Sequence, residues 1–519
     1  MKTKNLLTIA ALTLMTAACS NDDNLVQQPA EQPADNNEIT VTATLAPKSG
    51  DITRAVAYNG TTITSSWAEG EQIAILFDIS GTPSKRIAEV KSVDISDGAA
   101  TIEFTIPASG VADGANAKLV YPATAAKDDN SGAKTFTDLL AEQDGTLKAD
   151  LDVRVGAGTI NTSTNLLTVT TNPDAQFAIF KLTLNKSIDA THPLYIYDGT
   201  DNLISTVTPT SSMGEPYVAM PATGNSAFYS FVVDVDNNKY YKSGTATINP
   251  GYFYTQVMNL AARYPRAMAS ATKIDLGSLI GQDGNIYANA AGITAASTTA
   301  VAAIAYIGTD NFTENGTMVN SSAFTGHGLA LCLKNAATNV AWCNEYGTSE
   351  FGVSAEVKDV AALKRSENVS GYTNTTTLAT KTDAATKYPA AYQAKNYTGL
   401  TAPAGSTGWF LPSAQQWVKM IEGLGGLADG APVWDSWFDN NHTAADKWEA
   451  ALAKAGDGNY HSMTEGYLRF ASSSESSVNG TVYLIVYAMD TGDNYGFNWR
   501  TDNKTHVSGN DRVRPIFAF

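Results

Sequence analysis

The chain has 519 residues and a formal net charge of −17 at pH 7, from 51 acidic and 34 basic residues. This length predicts two to four domains, each able to bury a hydrophobic core. Because the acidic excess repels phosphate groups and no cluster of lysine and arginine offsets it, nucleic acid and anionic membrane surfaces are excluded as partners. Charged residues make up only 16% of the chain, which is typical of extracellular β-rich proteins.

The first 18 residues have the pattern of a bacterial lipoprotein signal peptide. Lys2 and Lys4 give a positive start, residues 6–15 are apolar but too few to span a bilayer, and Thr16–Ala18 lead into Cys19. A segment of this kind is removed during export. We therefore expect a mature chain that begins at an acylated Cys19 and is anchored to the outer membrane by its lipid. The alternative is a cytosolic chain with an apolar first helix.

Residues 19–37 are predicted to form a disordered tether after the lipid. Ser20–Asn24 resembles the acidic export signal that places lipoproteins of Bacteroidetes on the outer face of the outer membrane. The residues after it have the low hydrophobicity of a flexible linker. We expect surface exposure, with periplasmic retention as the alternative. No later stretch approaches 18 consecutive apolar residues, so no transmembrane helix is expected.

Residues 38–264 are predicted to form two tandem β-sandwiches, over residues 38–156 and 157–264. Short apolar or alternating runs follow one another, separated by turn residues and without long helices, as in small sandwich domains. Ile39–Leu45 alternates between apolar and polar residues, which predicts a strand with one buried face. Asp234–Asn238 opens like a calcium loop but lacks the later ligands of one, and it is predicted to be a hairpin turn.

Two motifs in this part resemble the fimbrillin-like proteins, which are subunits, anchors and tips of the type V pili of Bacteroidia. Ile52–Ala55 followed by Ser66–Ile73 is similar to the family's TRA segment and W-x-x-G-(D/E)-x-I strand, and Thr245–Leu260 is similar to its closing strands. The resemblance implies that an Arg-specific protease cuts between Arg54 and Ala55, and that a donor strand of another pilin subunit replaces the removed strand. The alternative is an uncut surface arginine in a chain that stays anchored.

Residues 265–519 are predicted to form an α+β domain. Ser413 and Gln416 form a capping box at the start of a helix over Ala414–Glu422, and a second helix runs from Ala444 to about Ala455. The order of the motifs GW-x-LPS, SS-x-E and VRP-x-x-AF resembles the C-terminal domains of fimbrillin-like tip proteins, which are related to the Fibrobacter succinogenes major paralogous domain. The resemblance implies a C-type-lectin-like fold. No terminal donor strand is recognisable after it, which favours a tip or accessory subunit over a stalk subunit.

Cys332 and Cys343 are the two cysteines that remain once Cys19 is lipidated. They flank a polar turn, and pairing Lys334 with Ala341 across that turn places the two cysteines opposite each other. A cross-strand disulfide is therefore predicted, in keeping with an exported protein. The alternative is two free, buried cysteines.

No catalytic or metal-binding pattern is recognisable in the chain. The nucleophile-elbow, phosphate-loop, dinucleotide and zinc motifs are all missing, and the five histidines are scattered. The sequence therefore predicts no enzyme activity, no cofactor and no metal.

Two aromatic loops are the candidate ligand sites. The first is Val433–His442, where Trp434 and Trp437 could stack on a sugar face and polar groups could contact its hydroxyls. The second is a hairpin around residues 490–500. The proposed contact residues are Trp434, Asp435, Trp437, Asp439 and Asn440 in the first loop and Tyr495, Trp499 and Arg500 in the second. The alternative for each tryptophan is a place in the core, where most tryptophans in compact domains are buried.

The sequence thus predicts a surface lipoprotein that works as a pilus tip or accessory adhesin. It would dock to other pilin subunits by strand exchange and bind a host or bacterial surface glycan or protein through its last domain. The alternative is a monomeric surface glycan-binding lipoprotein for nutrient capture, which would keep Arg54 uncut.

Overall fold

The computed structural model describes residues 38–48, 66–147, 151–235, 238–308, 313–314, 317–318, 327–345, 350–351, 370–427, 443–477, 480–487 and 496–519. These residues are mostly β-strand, arranged in several sheets, as the sequence predicts. They divide into two compact units. The described part of the first unit is residues 38–48, 67–133 and 154–173, and that of the second begins at residue 134, apart from Ser66.

The described residues of the first unit form a closed barrel of seven strands rather than the predicted β-sandwich. In spatial order the strands are β1 (Glu38–Leu45), β4 (Ala100–Pro107), β3 (Thr82–Val93), β2 (Gln72–Ile79), β5 (Ala115–Tyr121), β7 (Arg154–Asn161) and β8 (Leu166–Ala175). Strands β4 and β7 bury every second residue, whereas β2 buries five consecutive residues, from Ile73 to Phe77. The barrel closes because β1 has hydrogen-bonded neighbours at both edges, a pairing between distant segments that local pattern cannot reveal.

The barrel also moves the predicted domain boundary. The first unit extends to Pro173, past the boundary predicted at residue 156, because β7 and β8 complete the barrel. Residues 134–153 belong instead to the second unit, where α1 (Phe136–Leu140) and β6 (Glu142–Gln143) lie.

The second unit begins with a β-sandwich, as predicted for this part of the chain. One sheet contains β16 (Ala261–Ala262), β14 (Asn238–Thr247), β13 (Ser226–Val235), β10 (Leu194–Tyr197), β11 (Leu203–Val207) and β6. The other contains β12 (Tyr217–Pro221), β9 (Phe177–Leu184) and β15 (Phe253–Met258). Buried apolar residues of the two sheets form one core. Strands β13 and β14 form the predicted hairpin, with Val235 opposite Asn238.

The C-terminal part of the second unit has two larger sheets and several helices. The first sheet contains β17 (Arg266–Ala267), β19 (Asn285–Tyr287), β18 (Leu279–Gly281), β20 (Ala300–Ile307), β23 (Gly328–Cys332) and β29 (Ile516–Ala518). The second contains β24 (Ala337–Thr338), β28 (Asp511–Val513), β25 (Tyr467–Ser477), β26 (Gly480–Tyr487) and β27 (Gly496–Asn503). A two-stranded ribbon pairs β21 (Thr313–Glu314) with β22 (Thr317–Met318).

Two of the described helices of this part were predicted from the sequence, those that begin at Ala414 and Thr443, and the others were not. The described helices are α2 (Ala290–Ala295), α3 (Gly371–Ala379), α4 (Ala384–Lys387), α5 (Pro389–Lys395), α6 (Ala414–Gly423) and α7 (Thr443–Ala453). The predicted capping box at α6 is present, because the Ser413 side chain accepts from the Gln416 N–H and the Gln416 side chain accepts from the Ser413 N–H. Within the described ranges, none of the helices is long and apolar enough to cross a membrane.

The predicted disulfide between Cys332 and Cys343 is wrong. Both cysteines are free and buried. Cys332 ends β23, whose two edges are already paired with β20 and β29, so the chain after it cannot return as a third neighbour. The chain crosses instead to the second sheet, where Ala337 pairs with Val513. Burial raises the pKa of the Cys332 thiol to about 12 and also raises that of Cys343.

Candidate strand-exchange site and ligand pocket

Strand β1 contributes one face to the core of the barrel. It pairs antiparallel with β4 along its whole length, from Glu38 opposite Pro107 to Leu45 opposite Ala100. The inward side chains of Val41, Ala43 and Leu45 are buried in the barrel core. The alternation that predicted a strand over residues 39–45 is therefore the alternation of a core strand.

The other edge of β1 closes the barrel with little pairing. Thr42 lies opposite Leu166 of β8, and the Thr42 N–H donates to the Asn165 carbonyl at 3.2 Å. Strand β1 is therefore held mainly by β4 and by the burial of its inward side chains. Burying a Val or Leu side chain contributes about 1.5–3 kcal/mol, so β1 is bound firmly but by a small number of groups.

Residues of the W-x-x-G-E motif form a hydrogen bond and an ion pair with the chain just after β1. The Trp67 indole N–H donates to the Ala46 carbonyl at 3.0 Å. Lys48 Nζ lies 3.1 Å from Glu71 Oε2, and both side chains are almost completely buried. Gly70, at φ +83°, allows the turn that places both Trp67 and Glu71 beside residues 46–48. We call Trp67, Glu71 and Tyr121 the cation pocket, because together they enclose the Lys48 ammonium.

The cation pocket is lined on three sides. The Glu71 carboxylate accepts from the Tyr121 hydroxyl at 2.8 Å and from the Ala68 N–H at 3.3 Å. Lys48 Nζ lies 4.3 Å from the centroid of the Trp67 ring and 4.1 Å from that of the Tyr121 ring. The two rings meet edge to face at 5.2 Å. Sequence reasoning identified the motif but missed Lys48 and Tyr121, since only the barrel brings them together.

Most sequence-predicted site residues lie outside the described residues. These are Cys19, Arg54, Ala55, Trp434, Asp435, Trp437, Asp439, Asn440 and Tyr495. Of the second aromatic loop, Trp499 and Arg500 are described. Trp499 is completely buried in the core of the C-terminal part, whereas Arg500 is exposed on the same strand. Trp499 therefore cannot stack on a ligand in solvent, because its position on β27 points it inward, opposite Leu484.

A polar pocket opens on the C-terminal part, at a place that the sequence did not single out. Its cavity of about 360 Å³ is lined by Asn335, Asp457, Tyr460, His461, Glu465 and Arg512, among others. Carboxylates, an amide, a phenol, an imidazole and a guanidinium can each bond to hydroxyl groups. Such a pocket can hold a small polyhydroxylated ligand. We call it the polar pocket.

Arg514 of the VRP motif forms hydrogen bonds with two residues that line the polar pocket. Its guanidinium is fully buried and donates to Asn335 Oδ1 at 2.8 Å and to the His461 carbonyl at 2.7 Å. The Asn335 N–H donates to His461 Nδ1 at 3.0 Å. Burial lowers the pKa of His461, and the positive charges of Arg514, Lys334 and Arg512 lower it further. A neutral His461 that accepts at Nδ1 carries its proton at Nε2, so it is a donor there.

The SS-x-E motif likewise builds an internal contact. Glu475 is buried and forms an ion pair with Lys504. Its carboxylate accepts from the N–H groups of Glu350 and Phe351 at 2.9 Å each. Among the residues that the structure describes, no group of three His, Cys, Asp or Glu side chains could hold a metal ion. The motifs of the C-terminal part thus stabilise its fold.

Comparison with known proteins gave no family. No family model matches the chain, and no curated protein matches it. Among solved structures, the chain is similar to proteins proposed to act in cell adhesion from Bacteroides fragilis and Bacteroides ovatus, each at 10% identity and a TM-score of 0.24. The matches cover 44% of this chain and 94% and 97% of the two proteins. A third, from Parabacteroides distasonis, has 10% identity and a TM-score of 0.21, covering 43% of this chain and 95% of that one. Scores this low do not establish a common fold.

Proposed function

We propose that the chain is a cell-surface adhesin that docks to another subunit by exchanging strand β1 of its barrel. The observation that carries the proposal is the position of β1. It is the first strand among the described residues, it supplies one buried face of the barrel core, and Arg54 lies between it and the rest of the barrel in the sequence. A cut after Arg54 would leave β1 attached by non-covalent contacts alone.

Loss of β1 would leave a groove suited to an incoming strand. Strand β4 would lose a partner along its full length, and the core residues Ile102, Phe104 and Ile106 would lose the side chains packed beside them. Unpaired backbone groups along an edge, beside apolar pockets at every second residue, are the features that bind an added strand.

Ligand binding is assigned to the C-terminal part of the second unit. The polar pocket would bind a hydroxylated ligand, such as a sugar on a host or bacterial surface. Its neutral His461 and its carboxylates offer both donors and acceptors, which a sugar needs. A lipid on Cys19 would anchor the protein at the cell surface. The proposed function involves binding and no catalysis.

The test is the N-terminal sequence of the protein recovered from its native cells, for the wild type and for Arg54→Ala. We expect wild-type protein in sheared filaments to begin at Ala55, and Arg54→Ala protein to begin at Cys19 and to be absent from filaments. Arg500→Ala, which changes an exposed arginine far along the chain, is the matched control and should behave as the wild type.

A wild-type chain that begins at Cys19 and is absent from sheared material would contradict strand exchange. If such protein still bound glycans, the alternative of an anchored, monomeric glycan-binding lipoprotein would replace it, since the polar pocket serves either role.

A further inference from the structure

The cation that neutralises Glu71 belongs to the segment that strand exchange would remove. Lys48 precedes Arg54, whereas Trp67, Glu71 and Tyr121 follow it. A cut after Arg54 and the departure of β1 would therefore empty the cation pocket. The Ala46 carbonyl that accepts from the Trp67 indole would leave as well.

The emptied pocket would hold a buried carboxylate without its positive partner. Glu71 would keep its contacts with the Tyr121 hydroxyl and the Ala68 N–H, but these neutral donors do not cancel its charge. Leaving one member of a buried ion pair alone is strongly unfavourable. Two aromatic faces and a carboxylate around one point form a site for an ammonium group.

We propose that the strand which replaces β1 must carry a lysine that fills the cation pocket. This inference rests on the proposed strand exchange and names the chemistry of the partner. In β1 the inward residues Val41, Ala43 and Leu45 are followed by Lys48, three positions beyond the last of them. The partner strand carries the same arrangement: apolar residues at alternate positions, then a lysine three residues after the last one.

The lysine also fixes the register of the incoming strand. A slip of one residue turns every apolar side chain outward and is excluded by the core alone. A slip of two residues keeps the alternation and places similar apolar side chains in the same pockets. It moves the ammonium by about 6.5–7 Å along the strand, which takes it out of reach of Glu71. The charge therefore distinguishes registers that the apolar face does not.

A peptide-exchange measurement tests the inference on the whole chain. The chain from Glu38 to Phe519 carries a site-specific protease sequence in place of residues 50–56, and after one cut it is mixed with an excess of labelled peptide of residues 38–48. Three peptides are compared: the natural sequence, Lys48→Met, and Val41→Asp. We expect the natural peptide to replace β1, the Lys48→Met peptide to bind about 100-fold more weakly, and the Val41→Asp peptide not to bind.

The outcomes separate the inference from the proposed function. If no peptide enters the cut protein, strand exchange fails and the inference fails with it. If the natural and Lys48→Met peptides bind equally while Val41→Asp does not, strand exchange stands and the requirement for lysine is overturned. The Glu71→Gln protein provides a second measurement, since it should lose the preference for lysine over methionine. The three peptide comparisons use the cut protein that keeps Glu71, so they do not depend on whether the Glu71→Gln variant folds.

Discussion

At the residue scale, the recognisable motifs of this chain build contacts inside the fold. Trp67 and Glu71 fasten the end of β1, Arg514 supports Asn335 and His461, and Glu475 pairs with Lys504. The charged side chains of Glu71, Arg514 and Glu475 are buried, and each has a partner, as buried charges require. The motif residues therefore mark contacts that stabilise the fold. Two of the residues that line the polar pocket are neighbours of Arg514 in the structure.

Trp499 and Arg500 give the sharpest test at this scale. Replacing the fully buried Trp499 with alanine should lower the free energy of unfolding by about 3–5 kcal/mol, because a large side chain is removed from the core. Arg500→Ala, at the exposed neighbouring position, should change it by less than about 0.5 kcal/mol. Denaturant unfolding followed by circular dichroism measures both. A stable Trp499→Ala protein that has lost glycan binding would instead restore Trp499 as a ligand contact.

At the element scale, the neighbours of a strand decide what it can do. Strand β1 is a plain alternating strand, but its place between β4 and β8 makes it the strand that closes the barrel. Strand β23 is paired on one edge with β20 and on the other with β29. Because neither edge is open, the segment after β23 joins another sheet, and Cys332 is separated from Cys343.

The two free cysteines differ from a disulfide-bonded pair in their reactivity, which can be measured. In the chain from residue 38, a thiol reagent at pH 8 should leave Cys332 unmodified while the protein is folded, because burial raises its pKa to about 12 and shields it. After denaturation without reductant, two thiols should react. Addition of reductant should not shift the unfolding midpoint. A reductant-dependent midpoint, with no free thiol in the denatured protein, would show that the disulfide forms.

At the scale of the whole molecule, the compact units differ from the predicted domains. The predicted boundary at residue 264 lies in a closely packed contact. Arg263 Nε donates to Asp275 Oδ1 at 2.6 Å, and the Tyr264 hydroxyl donates to the same atom at 2.8 Å. Asp275 is fully buried. The sandwich and the C-terminal part accordingly belong to one unit, whereas the barrel is a unit of its own.

Two truncated chains test the boundary of the barrel. A chain of residues 38–156 follows the predicted domain but keeps only the first three of the eight residues of β7 and lacks the whole of β8, so β5 loses most of its pairing with β7. It should show no cooperative unfolding. A chain of residues 38–175 contains all seven barrel strands and should unfold cooperatively. Calorimetry or denaturant titration compares the two, and equal cooperativity would mean that the first five strands suffice.

Features that depend on near neighbours along the chain can be predicted from the sequence. The alternation of Ile39–Leu45, the capping box at Ser413 and the hairpin after Val235 are local patterns, and each is present in the structure. They could be predicted because the residues that satisfy one another lie within a few positions.

Features that join distant segments of the chain become visible only in the folded structure. The closure of the barrel, the separation of the two cysteines, the burial of Trp499 and the pairing of Lys48 with Glu71 and Tyr121 all depend on which strands lie side by side. Neither candidate site could be predicted in full for the same reason. The cation pocket and the polar pocket are each assembled from segments whose proximity is set by sheet pairing, and pairing is a property of the whole fold.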